Sequence, residues 1–250
     1  MLSLDKQNEL RETYRQLRPG WRPATELYAD LVRSHISPTS QLLDLGCGRG
    51  GLIEQLVDTH GRDLLNRTIG LDPDWTSLTE HRLKLTATTG FSHALPFKSQ
   101  SFDIIFCSWL LEHLEFPELD LAEIGRVLKP GGVFIFITPN KRHPLAWLNQ
   151  ALGRFSKIQD RLVERLYGRA AADTFPTWYR MNSQAQLENH LSKISNGESF
   201  EIKIDQIYFI PDPTYLAFHP LIFRFMCWFE TALPPSYRLH LVGVLRNEIQ

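Results

Sequence analysis

Asp44, Gly46, Gly48 and Asp72 are the residues of this chain whose types and spacing speak most directly of chemistry. The run Leu42-Leu-Asp-Leu-Gly-Cys-Gly-Arg-Gly50 is apolar, carries one acid, and then alternates glycines; Asp72 closes a second apolar run, Thr68-Ile-Gly-Leu-Asp72. A strand that stops in glycines and hands over to a helix lets the backbone pass close to a ligand without Cβ interference. An acid at the tip of the next strand can hold the hydroxyls of a ribose. Gly46, Gly48 and Gly51 also satisfy the G-x-G-x-x-G spacing of dinucleotide sites, with Asp72 about where the ribose acid belongs. Asp44, inside the strand, discriminates. A pyrophosphate at this loop would be repelled by the carboxylate, whereas an ammonium or sulfonium would be attracted. A cationic ligand is therefore favoured, and a nucleotide-dependent oxidoreductase is the weaker alternative.

These groups must be held at the ends of strands, and the surrounding pattern supplies them. Strands are expected at 41–45, 67–71, 101–107 and 133–138, with a short third strand ending near Phe91. Helices are expected near 50–59, 75–85 and 117–128. Near-continuous apolar strands alternating with amphipathic helices imply a parallel sheet covered on both faces. Lys129-Pro-Gly-Gly132 reads as a tight turn into the strand that follows. Residues 1–37 read as an N-terminal helical extension in two pieces, broken at Arg18-Pro-Gly-Trp-Arg-Pro23. Residues 139–182 are too many for an ordinary connection and are expected to form an inserted helical cap, with helices near 144–153 and 157–169. A helix at 183–195 and strands at 199–208 and 239–246 complete the sheet, with an apolar helical segment, 216–233, between the last two strands. The whole, 1–250, is expected to be one domain.

The bulk numbers exclude several classes. A net charge of −1 over 250 residues offers no global field for nucleic acid. Three widely spaced cysteines, Cys47, Cys107 and Cys227, suit reduced thiols in a cytoplasmic protein and give neither a disulfide frame nor zinc spacing. The N-terminus lacks a signal-peptide layout, and no stretch of the chain reads as a membrane span.

With those strands in place, the chain resembles the class I S-adenosylmethionine-dependent methyltransferases, in particular the methyltransferase type 11 group. The matching pieces are residues 42–50, Ile69-Gly-Leu-Asp-Pro-Asp74, Leu95-Pro-Phe97, Ser101-Phe-Asp103, Leu111-Glu-His113 and Arg126-Val-Leu-Lys-Pro-Gly-Gly132. The resemblance covers 41–138. It implies a doubly wound α/β fold, a seven-stranded mostly parallel sheet of order 3-2-1-4-5-7-6 with strand 7 antiparallel. It implies S-adenosyl-L-methionine as cofactor. It places Gly46, Cys47 and Gly48 against the methionine moiety, with Asp44 near its ammonium group and the carbonyl at Cys107 or Ser108 taking ammonium protons. Asp72 would accept both ribose hydroxyls, and Pro73, Asp74 and Trp75 would border the adenosine. One position departs from the family pattern: Phe91 stands where an acid commonly accepts from the adenine amino group. Ser92 or a backbone carbonyl must then serve, or the adenine pocket is weaker; His93 beside it is also expected to border the cofactor.

The acceptor side is less legible. His113, in Leu111-Glu-His113, is a candidate general base for a phenol or hydroxyl. His143 and Tyr179 are candidates to position an acceptor, and Arg180 could bind an anion. Arg18-Pro-Gly-Trp-Arg22 could fold over the cofactor or be an ordinary turn. Quinone-pathway O-methyltransferases resemble this segment and add an acid for a divalent metal, but Trp109 occupies that place, so no metal is expected. Between Lys141 and Arg169 there is an excess of five positive charges beside an apolar face. That pattern suits a lid, a peripheral membrane contact or a dimer interface. The expected partner is a small-molecule or lipid-like acceptor, the state a monomer or homodimer, and nucleic acid is not expected. A non-catalytic S-adenosylmethionine-binding scaffold is the alternative from another class.

Overall fold

The structure is a computed structural model, and it describes residues 4–146, 176–194, 200–214 and 219–248. The expected cap helices near 144–153 and 157–169 lie mostly or wholly outside the described residues. Seven strands form a single sheet of order β3-β2-β1-β4-β5-β7-β6, the order the resemblance implied. They are β1 (Leu42–Leu45), β2 (Thr68–Asp72), β3 (Thr86–Thr89), β4 (Phe102–Ser108), β5 (Leu128–Pro139), β6 (Ile202–Ile210) and β7 (His240–Asn247). The first five pair in parallel, and β7 runs antiparallel to both β5 and β6.

The helices are α1 (Leu4–Leu17), α2 (Ala24–His35), α3 (Leu52–His60), α4 (Trp75–Thr79), α5 (Pro117–Val127), α6 (Gln184–Ile194) and α7 (Pro220–Ala232). Alternation along the strands divides the core between two faces. Leu42, Ile104, Phe106, Ile135, Val242 and Val244 pack with Tyr28 and Val32 of α2 and Ile53 and Leu56 of α3. Leu43, Leu45, Ile105, Cys107, Phe134 and Phe136 pack with Leu121 and Ile124 of α5 and Leu187 and Leu191 of α6. Burial on both sides accounts for the near-continuous apolar strands.

Local readings differ at three places. The third strand ends at Thr89, before Phe91, because Thr-Ala-Thr-Thr is an exposed polar edge strand with no apolar signature. The helix after β2 stops at Thr79, well short of 85. Lys129-Pro-Gly-Gly132 lies within β5 as an irregularity opposite Phe102–Ile104, with Gly131 at a φ of +74°. A strand that loops out by three extra residues carries the same Pro-Gly letters as a turn.

Candidate active site

Every parallel strand ends at the same edge of the sheet, and the singled-out residues collect there. The chain leaves β1 through Gly46, Gly48 and Gly50, all at positive φ (73°, 49° and 107°). The backbone N–H groups of Gly46 and Cys47 donate to the Leu71 carbonyl of β2 at 2.7 and 3.2 Å, which pins the loop across the neighbouring strand. A Cβ at Gly46 would come within 3.2 Å of the Leu110 side chain, so the loop also abuts the segment that follows β4. Left-handed backbone at a close approach is the condition under which only glycine is comfortable.

Asp72 is buried, and its carboxylate is oriented by backbone alone: Oδ2 accepts from Gly48 N–H and Oδ1 from Asp74 N–H, both at 2.9 Å. Each carboxylate oxygen can take a further donor, so two acceptor sites remain for a diol. Asp74 caps α4 through Thr76 N–H, Ser77 N–H and the Ser77 hydroxyl, which lowers its pKa; Pro73 and Trp75 beside it are exposed.

Asp44 is buried at the end of β1 on the α2 face. Burial first, and the negative charge of Asp72 second, push its pKa up to about 7. A buried acid whose charged neighbour is another acid is short of positive charge. Cys47 packs where a Cβ on Gly70 would strike its Sγ at 2.8 Å. Burial, with Asp44 and Asp72 nearby, drives its thiol far above the usual range, so it fills space and is no nucleophile.

Ser92 is buried and donates to Asp120 Oδ1 of α5 at 2.6 Å. Burial raises the Asp120 pKa to about 6. Glu123 accepts from Leu95 N–H, and Arg126 donates to the carbonyls of Leu95 and Phe97. The loop 92–97 is thus held from behind by three charged residues of α5. Asp120 and Glu123 were not singled out in the sequence, since acids on a helix carry no signal of the loop they hold. Phe91 is exposed and stacks on His93 at 5.4 Å.

The acceptor candidates separate. His113 sits on the short 3-10 turn after β4, partly exposed, with Nδ1 2.8 Å from the Pro176 carbonyl. Glu112 is buried, accepts from the Thr138 hydroxyl at 2.9 Å, and its carbonyl takes the Trp178 and Tyr179 N–H groups. Tyr179 is buried at a φ of +50°. His143 is fully buried: Nδ1 accepts from Leu145 N–H, and Nε2 lies 3.1 Å from Glu230 of α7. Both of its nitrogens face protein, so it ties the start of the 139–182 segment to α7. Arg180 donates to the Glu115 carbonyl and lies over the Trp178 ring, lining a groove of about 480 Å³ between α5 and α6 that no glycine-loop residue reaches. Arg18 donates to Thr231, Arg22 pairs with Asp30, and Trp21 Nε1 donates to the Pro211 carbonyl; the Arg18–Arg22 segment anchors α1 to α7 and the 211–214 loop. No cluster of three metal-ligating side chains occurs among the described residues.

Residues 43–136 match the methyltransferase domain model of the methyltransferase 11 family. The chain is 32% identical over 142 residues to a ubiquinone biosynthesis O-methyltransferase of Nitrosococcus oceani, covering 51% of this chain and 55% of that one. It is 30% identical over 141 residues to an uncharacterized protein of Methanocaldococcus jannaschii, with 54% and 52% covered. The chain spans about half the length of the curated relatives it matches. Among solved structures, the [4+2]-cyclase SpnF superposes with a TM-score of 0.57 at 15% identity, covering 93% of this chain and 85% of that one, a likeness of fold alone.

Proposed function

With residues 43–136 belonging to the class I S-adenosylmethionine-dependent methyltransferase family, we propose that this chain transfers a methyl group from S-adenosyl-L-methionine to a small or lipid-like acceptor. The observation that carries the proposal is Asp44. Its carboxyl is held near neutral pH by burial and by Asp72, and a cationic ligand beside it restores the ionised form. A pyrophosphate would deepen the same charge imbalance.

The residues present fit the cofactor. Gly46, Cys47 and Gly48 would hold the methionine moiety, with Asp44 and the carbonyl at Ser108 toward its ammonium group. Asp72 would take the ribose hydroxyls, and Pro73, Asp74, Ser92 and His93 would border the adenosine. Bound there, the cofactor supplies an already activated methyl group. The protein's part is then to align the acceptor and exclude water. A vague catalytic apparatus beside a well-formed cofactor site is what that division of labour predicts. Since a cyclase shares this fold, the assignment rests on the site and not on the architecture.

A lipid-like acceptor is favoured by α7, where Leu221, Phe225 and Trp228 are 68%, 54% and 64% exposed on one helix face beside the exposed Arg224. Such a ridge suits peripheral contact with an anionic bilayer. Among the described residues no helix is long and apolar enough to cross a membrane.

Thermal denaturation with S-adenosylmethionine, S-adenosylhomocysteine and NAD in parallel tests the function. Stabilisation by the first two alone is expected. Stabilisation by NAD alone would replace methyl transfer by redox chemistry, and no response to any ligand would leave a scaffold.

A further inference from the structure

A second polar cluster lies on the α2 face of the same sheet edge, assembled from parts of the chain far apart. His240 opens β7 opposite Pro139 of β5 and Ile210 of β6. Arg11 of α1 lies 3.5 Å from Asp212, whose other oxygen is fixed by the Thr214 N–H and hydroxyl. His240 is 92% buried, since 8% of its surface is exposed, and its Nδ1 has no hydrogen-bond partner among the described residues. A buried imidazole nitrogen without a partner is costly unless something else completes it.

Trp109 links this cluster to the cofactor loop. It follows β4 directly, its ring meets the His240 ring edge-on at 5.3 Å, and its neighbour Leu110 lies against Gly46. Trp109 sits at a φ of +57°, a backbone state unfavourable for a bulky residue, and its N–H is tied to the Ile137 carbonyl at 3.0 Å. The Trp109 ring is 38% exposed.

We propose that His240 is a catalytic residue on the acceptor side: it holds the hydroxyl of a planar aromatic acceptor lying against Trp109 and takes its proton as the methyl group transfers. The proposal rests on the methyl-transfer function above and names its substrate class. In the step, an oxygen lone pair forms the new O–CH3 bond, the C–S electron pair stays on sulfur, and the hydroxyl proton passes to the imidazole. The imidazolium then faces the Asp212 carboxylate, while Arg11 balances that acid when His240 is neutral. Burial foremost lowers the His240 pKa to about 4, with Arg11 and His143 acting in the same direction and Asp212 against them. The ring is therefore neutral and able to accept at physiological pH. A weak base suffices, because the oxygen becomes strongly acidic only as the new bond forms.

The test uses 4-nitrocatechol as probe at about pH 5.5, where its hydroxyls keep their protons and the His240 ring is neutral, with the chain saturated by S-adenosylhomocysteine for calorimetry and by S-adenosylmethionine for turnover. Replacing His240 by Leu should weaken nitrocatechol binding about 10-fold or more and abolish methylation. His240→Gln, which keeps an acceptor atom, should retain most of the binding and lose turnover roughly 100-fold. Both variants should bind S-adenosylhomocysteine as the parent does, which reports an intact fold and cofactor site. Unchanged nitrocatechol affinity in His240→Leu, or no nitrocatechol binding by a parent chain that binds S-adenosylhomocysteine, would overturn the proposal. Failure to bind S-adenosylhomocysteine at all would instead overturn the methyl-transfer function beneath it.

Discussion

The two halves of the sheet edge are built in different ways. On the cofactor side, β1, β2 and the glycine loop place their groups through backbone: three positive-φ glycines, N–H groups on the Leu71 carbonyl, and two N–H groups on Asp72. On the acceptor side, side chains do that work across the length of the chain. Arg11 reaches Asp212, Arg18 reaches Thr231, and the buried Asn140 holds the carbonyls of Ser236 and Arg238 just before His240. A backbone-built site constrains few residue types tightly, here Gly and Asp. A side-chain-built site can be refitted for a new acceptor by single substitutions, without disturbing the cofactor.

The comparison can be broken first at Asn140. Asn140→Ala removes three hydrogen bonds in a fully buried position and should cost about 3 kcal/mol. Denaturant unfolding would show the loss, and a cost below about 0.5 kcal/mol would mean that the acceptor side does not depend on this side chain. Gly46→Ala should cost about 1–2 kcal/mol through its φ and the Leu110 contact, and should weaken S-adenosylhomocysteine binding in calorimetry. An alanine variant with parental affinity would show that the loop backbone is not held tightly.

Asp44 sharpens the electrostatic side of the contrast. Its pKa is higher in the folded chain than in the unfolded one. The stability this gives is therefore full below about pH 4 and is lost as pH rises toward 7. Ligand binding runs the other way, because a cation needs the ionised acid. S-adenosylhomocysteine affinity should fall about 10-fold from pH 8 to pH 6. Asp44→Asn should bind weakly at both values and unfold no more easily than the parent at pH 8. An affinity independent of pH in the parent would remove Asp44 from the ligand's reach. The smallest effect is expected at Trp228. Trp228→Ser should change stability by less than about 0.5 kcal/mol yet reduce flotation with anionic phosphatidylglycerol vesicles; undiminished flotation would exclude the α7 ridge as the contact.

The same division explains what the sequence disclosed. Residues 42–50 and 68–72 are legible because strand, loop and acid are contiguous and each backbone constraint selects a letter. The βα rhythm gave a parallel sheet covered on both faces, and the sheet order came from the family resemblance. Thr86–Thr89 was placed too late because an exposed edge strand needs no apolar pattern. His240, Asp212 and Arg11 carry no local signal, since their meeting depends on α1 folding back onto the last two strands. Asp120 and Glu123 carry no signal of the loop 92–97 that they hold.

The most direct test of the central claim is calorimetric titration of the parent chain and of Asp72→Ala with S-adenosylhomocysteine. One ligand per chain is expected for the parent, with affinity about 100-fold weaker in the variant, the worth of a charge-assisted contact to the ribose, and with the unliganded variant folded but melting lower, because the Gly48 and Asp74 N–H groups lose their acceptor. Equal affinities in the two proteins, or binding of NAD in place of S-adenosylhomocysteine, would contradict the account.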